Sequence, residues 1–184
     1  MPDSPDTCLA LRELAELLDG AQLRYTHFPE SGVLRVSFAS DHYVDDSGNK
    51  RISIFLSVHP EEQLIVADIP WAYRLAHARD KRAARKALLY VNYAMKAVHL
   101  GVDPGDRDEV CARAELWLKG ITPSSDWIRA ALNRLAGQFD LSARLLQPVW
   151  RGGRRELRKL VERGMQPQPS GTGQCRQGPS RAVS

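Results

Sequence analysis

Cysteine is scarce in this 184-residue chain, and its three residues, Cys8, Cys111 and Cys175, are far apart. An odd number at wide spacing excludes a disulfide framework and a Cys-x-x-Cys metal knuckle, and predicts reduced thiols in the cytoplasm. Long apolar runs are missing too. No stretch approaches the roughly 18 residues of a membrane span. Residues Met1 to Ser4 lack the basic-then-apolar pattern of a secretory signal. The expectation is a cytoplasmic chain without membrane association.

Catalytic signatures are equally sparse. His27, His42, His59, His77 and His99 form no His-x-x-x-His pair and none lies beside a cysteine pair. Asp41, His42, Asp45 and Asp46 resemble a calcium loop only loosely. Aligning Gly48 with the obligatory loop glycine puts Tyr43 and Ile54 where the first and twelfth ligands, both carboxylates, belong. A solvated turn is the reading of that segment. There is no Gly-x-Ser-x-Gly elbow, and Gly171-x-Gly173 has no strand before it to make a phosphate cradle. Glu61-Glu62 and the Glu13/Glu16 pair sit in a turn and on a helix surface, without the burial that separates carboxylate pKa values. The sequence therefore predicts no catalytic residue, no metal, no cofactor and no enzyme.

What is present is an ordinary globular composition, 43% hydrophobic and 26% charged. A domain of about 150 residues buries roughly 70% of the surface its unfolded chain exposes, so the core needs no covalent staple. Charge is unevenly placed. Basic against acidic residues number 5 and 12 over positions 1–70, 7 and 1 over 71–100, 6 and 7 over 101–149, and 8 and 2 over 150–184. Two basic blocks follow an acidic start.

Leucines at helical spacing predict a first helix over 7–19, with Gly20 as its left-handed stop. The period then drops to two, predicting strands over 23–28, 33–38, 51–58 and 63–69, with Ser31-Gly32 as a hairpin turn and Pro70 closing the meander. A long helix is expected over 77–98, with Ala84, Leu88, Val91, Met95 and Val98 as its apolar stripe. Arg79, Lys81, Arg82, Arg85 and Lys86 crowd its first half, where the helix dipole disfavours cations. A second hairpin pairs 99–103 with 110–118. Thr122-Pro123 opens the next helix as cap and first residue, Gly137 ends it, and a further helical piece spans 141–147. The fold class is α+β: an antiparallel sheet flanked on one side by helices, in the order α-β-β-β-β-α-β-β-α(α). Residues 1–150 are expected to form one domain. Residues 151–184 would add a short basic helix and a disordered tail poor in apolar residues.

This order of elements resembles the bacterial type III secretion chaperone fold and, among its relatives, the YbjN family of sensory-transduction regulators. The resemblance covers roughly residues 7–149. It is carried by the Leu-rich first helix, by Tyr90-Val91-Asn92, by the strand-turn-strand from His99 to Leu118 and by Ile121-Thr122-Pro123. It implies a chain that binds proteins or regulates, often as a dimer. Secretion chaperones tend to be acidic, and this chain has pI ≈ 9.1.

The candidate binding residues follow from exposed aromatics and clustered charge. Trp71 and Tyr73 follow the meander, and Trp117 faces away from the apolar stripe of its strand beside Arg113 and Glu115. Trp117, Arg113, Trp71, Tyr73, Arg82 and Lys86 are the expected partner-binding residues. The first function reading is a non-enzymatic protein-binding, chaperone-like or regulatory module, with homodimerisation expected through the 110–118 hairpin and the helix before it. The alternative is nucleic-acid binding through the basic helix 79–86 and the basic segment 151–163. Glu156 and Glu162 interrupt that segment, and no base-stacking motif accompanies it.

Overall fold

Period-two alternation lays down six antiparallel strands in one sheet. The computed structural model describes residues 10–95, 98–103, 105–106 and 108–164. A first helix, α1 (Leu11–Gly20), precedes β1 (Tyr25–Phe28), β2 (Val33–Ala39), β3 (Arg51–His59) and β4 (Leu64–Arg74). After a single 3-10 turn at Leu75–His77 come α2 (Lys81–Ala94), β5 (His99–Val102), β6 (Glu109–Trp117), α3 (Ser125–Gly152) and α4 (Arg154–Gly164). The strand order is β1-β2-β3-β4-β6-β5, every pair antiparallel. Leu34, Val36, Ile52, Ile54, Leu56, Ile65, Ala67, Ala112 and Ala114 form the inward face, and the helices cover that face. The α+β architecture expected from the sequence is the one observed. The expected disordered tail from residue 165 lies outside the described residues.

Several boundaries differ from the sequence expectation, each for a physical reason. Gly20 stays helical, and Gln22, at φ 58°, takes the left-handed position instead. Any side chain at Gly20 would collide with Ser125, so this glycine serves the close approach of α1 to α3. Pro70 does not close the meander. It lies past Asp68, the last residue of β4 paired with β3, so its missing N–H vacates no bond to that strand. Pairing with β6 then resumes at Tyr73 after a bulge.

The long helix starts at Lys81, four residues later than expected, because Asp80 caps it by accepting from the Ala83 N–H at 3.0 Å. It ends at Ala94; Met95 is extended, and residues 96 and 97 lie outside the described part. Within its last turn, Asn92 binds the edge strand. Its Nδ2 donates to the Leu100 carbonyl at 2.7 Å, and its Oδ1 accepts from the Leu100 N–H at 2.8 Å.

The two helical pieces expected around Gly137 are one helix of 28 residues. It is capped by Ser124, which accepts from the Trp127 N–H at 3.2 Å; Thr122 and Pro123 precede the cap. A glycine inside a helix costs about 1 kcal/mol relative to alanine. Each fully buried large side chain contributes about 1.5–3 kcal/mol. Ile128, Leu132, Leu135, Phe139, Leu146 and Val149 line one face of α3 and are buried, so packing prevails over Gly137. The same helix pins the β2–β3 loop. The Asp140 carboxylate accepts from the backbone of His42 and Tyr43, each at 3.0 Å, of Asp41 at 3.3 Å, and from the Ser40 hydroxyl. Beyond Gly153, α4 packs on α2 and α3, and Leu160 joins the core.

Candidate protein-docking face

The four helices among the described residues lie on one side of the sheet, and no described residue outside the sheet covers its other side. Strand alternation assigns that outer face the residues of opposite parity to the core stripe. One row of it crosses all six strands in register: Thr26, Arg35, Phe55, Asp68, Arg113 and His99. Within the row, Arg113 Nε and Nη2 donate to Asp68 Oδ1 and Oδ2 at 2.7 and 3.1 Å, a two-pronged pair. Those hydrogen bonds from Arg113 and the adjacent carboxylate charge raise the already high guanidinium pKa. Farther along β2 and β1, the Arg35 guanidinium lies 5.4 Å from the Phe28 ring centroid and donates to Thr26 Oγ1 at 3.3 Å.

Aromatic rings run beside this polar row. Phe28 and Phe55 have centroids 6.2 Å apart, and Trp71 meets Phe55 edge-on at 6.5 Å. Trp71 is 56% exposed and sits at φ 51° inside the β4 bulge, with its backbone N–H donating to Glu109 Oε1 at 3.1 Å. A bulky residue in the left-handed region costs about 1–2 kcal/mol. Residues held so are a pointer to function.

Toward the other end of β4, Leu64 (4% exposed) and Val66 (8% exposed) are buried on the outer face and stand apart from the helix-side core. Leu64 is paired with Trp117, which is 55% exposed. The face thus carries its own small apolar cluster beside half-exposed Trp117, and a second aromatic group, Trp71 with Phe55, farther along. It continues over the β6 edge into an open groove of about 860 Å³, where Arg113, Glu115 and Trp117 face Trp127, Ala131 and Arg134 of α3.

The expected binding residues fall into three places. Trp117, Arg113 and Trp71 share the outer face. Tyr73 does not join them: it is buried among Tyr43, Phe139 and Trp150, with ring centroids 5.9, 6.3 and 5.1 Å away. The left-handed backbone at Trp71 breaks the alternation that would have put both side chains on one side. Burial pushes the Tyr73 phenol well above its ordinary pKa and that of Tyr43 up to about 12. Arg82 and Lys86 lie on the helix side, in a groove between α2 and α4.

Phe28, Phe55, Leu64 and Val66 were not singled out by sequence. Phe55 stands between Ser53 and Ser57 on the face opposite the stripe, and that placement was the available signal. Among the described residues no group of His, Cys, Asp and Glu gathers to hold a metal ion. Burial, then the charges of Asp68 and Asp103, push the Cys111 thiol above its ordinary pKa, which keeps it in the poorly nucleophilic protonated form at neutral pH. No helix among the described residues is long and apolar enough to cross a membrane.

No protein-family model matches the chain, and no curated protein matches it. Among solved structures it is similar to the crystal structure of YbjN from E. coli, a protein assigned a provisional role as a transcription regulator. The two superpose with a TM-score of 0.53 at 10% sequence identity, over 77% of this chain and 92% of the other. At that identity the match establishes a YbjN-like fold.

Proposed function

We propose that this chain, built on the YbjN-like fold, is a non-enzymatic protein-binding and regulatory module of the bacterial cytoplasm. Its uncovered sheet face docks a protein partner or a second copy of itself. The observation that carries this reading is the apolar content of the outer face: Leu64 and Val66 buried outside the core, with Leu64 paired to Trp117, and Trp71 against Phe55 farther along the same face, both tryptophans more than half exposed. Aromatic anchors around a small desolvated centre, with a polar rim such as Arg113–Asp68 and Arg35, are the composition of protein interfaces. The raised Cys111 thiol and the open form of the groove support a binding role over a catalytic one. Residues 1–150 would act as one docking domain, with α4 packed onto it.

The test is sedimentation velocity together with partner recovery from native cells, for Trp71→Ala and Trp117→Ala. Both residues are half-exposed, so thermal unfolding should change little while association or recovery falls. Association and recovery unchanged in both variants would overturn the reading.

A further inference from the structure

On the helix side, far from the sheet's outer face, α2 and α4 enclose a second open groove, of about 540 Å³. Its two lips carry cations at the same four-residue spacing: Arg82 and Lys86 on α2, Arg154 and Arg158 on α4. All four are exposed. Its floor is apolar, formed by half-buried Tyr90, Leu157 and Val161. Of the four cations only Arg154 has an acidic partner among the described residues, Asp80 at 2.8 Å; Glu162 is the one carboxylate lining the groove.

Asp80 also fixes the geometry. One of its oxygens caps α2 and the other holds Arg154, so the N-terminal ends of both helices meet at this residue. A side chain on Gly153, at φ 63°, would press against the Asp80 Cβ, so the turn into α4 keeps the two helices close. Helix N-termini carry partial positive charge, and cations placed there oppose folding. The chain nonetheless sets Arg82 and Lys86, and Arg154 and Arg158, over two such ends, while the nearby Asp108 and Glu156 are taken up by Lys81 and Lys159 and only Asp80 reaches this set, at Arg154. Stability does not call for that arrangement; an anionic partner does.

We infer that this groove docks an acidic amphipathic helix from a partner protein. Carboxylates four residues apart on such a helix match the cation spacing of both lips, and its apolar residues between them meet Tyr90, Leu157 and Val161. A nucleic acid fits less well, because its phosphate backbone would gain nothing from an apolar floor and would meet Glu162. Residues 165–184 carry two arginines and no aspartate or glutamate, so they do not match the charge of this groove.

The probe is a fluorescently labelled peptide of about three helical turns, with glutamates four apart and leucines between, titrated into the full chain by anisotropy. A scrambled peptide of identical composition and a random-sequence DNA duplex serve as competitors. The ordered peptide should bind more tightly than either, with affinity falling as salt rises. Arg82→Glu with Lys86→Glu should weaken it roughly tenfold or more; Arg82→Gln with Lys86→Gln, milder at these exposed sites, should weaken it less. Leu157→Ser should also weaken it, whereas Trp71→Ala and Trp117→Ala should leave it unchanged, which separates this groove from the sheet face. Equal binding of the scrambled peptide, tighter binding of the DNA, or indifference to both pairs of groove substitutions would overturn the inference.

Discussion

Trp71 and Tyr73 stand two residues apart on β4 yet point to opposite sides of the sheet, because the left-handed backbone at Trp71 breaks the alternation between them. One becomes an exposed aromatic on the uncovered face. The other becomes the centre of a buried cluster that joins β4 to the β2–β3 loop and to α3.

Trp71 should therefore be dispensable for folding. Removing it relieves backbone strain of about 1–2 kcal/mol and forfeits a ring contact with Phe55 worth about 0.5–1.5 kcal/mol. Trp71→Gly should leave unfolding free energy within about 1 kcal/mol of the parent by denaturant titration. Trp71→Val keeps the left-handed backbone under a β-branched side chain and should be less stable than the glycine variant by about 1–3 kcal/mol. Equal losses in the two variants would remove strain as the explanation for the bulge.

Tyr73 makes the opposite prediction. Its hydroxyl is buried and makes no hydrogen bond among the described residues. The Ser142 hydroxyl beside it donates to the Phe139 carbonyl at 2.6 Å instead. Tyr73→Phe should be neutral or stabilising, by up to about 1 kcal/mol, since it removes a desolvated polar group and keeps the ring. Tyr73→Ala should cost about 3–5 kcal/mol, the usual loss for an emptied aromatic site. A phenylalanine variant that unfolds several degrees earlier would mean that the hydroxyl contributes to stability.

How far these features could be read in advance depended on their range. Alternation over 33–38, 51–58 and 110–118 located the strands, because a half-buried strand writes its two faces into adjacent residues. The same alternation set Trp117 and Arg113 apart from the core. It failed at Trp71 and Tyr73, where a bulge changes parity without a compositional sign. Proline and glycine misled for a related reason. Pro70 and Gly137 are breakers by local propensity, but Pro70 lies where β4 has already left β3, and Gly137 lies within a continuous buried stripe. The helix-side groove needed tertiary information, since Arg82 and Arg158 are 76 positions apart in sequence and meet only once α4 folds back on α2.

Asp140 supplies a pH-dependent contribution of known sign. Burial raises its pKa, but the bonds from Ser40, Tyr43, His42 and Asp41 outweigh that and hold it below the ordinary carboxylate value. A carboxylate depressed on folding stabilises above its unfolded pKa of about 3.9, and that stability is lost as pH falls through the folded value. Asp140→Asn should lower the unfolding temperature at neutral pH. The gap from the parent should persist above about pH 5 and close as pH drops below about 3. Asp45, also depressed, titrates in both proteins and cancels in the difference. A gap independent of pH would show that the asparagine is destabilising through its shape alone.

Asn92 closes an edge that would otherwise invite pairing. Leu100 turns its N–H and C=O away from β6, and the Asn92 amide meets both as a neighbouring strand would, with one donor and one acceptor. Because Leu100 is buried, its backbone groups have little access to water in place of this amide. Asn92→Ala should therefore cost about 1–3 kcal/mol and expose two unpaired groups at the end of a six-stranded sheet, so self-association by light scattering should rise with concentration. Asn92→Asp separates the two parts of the role. A carboxylate can still accept from the Leu100 N–H, but its other oxygen then faces the Leu100 carbonyl. The aspartate variant should be the less stable at neutral pH and should recover as the carboxylate protonates and regains a donor, below about pH 4. If alanine and aspartate were equally destabilised at every pH, the two-sided bond would not be what holds β5 in place.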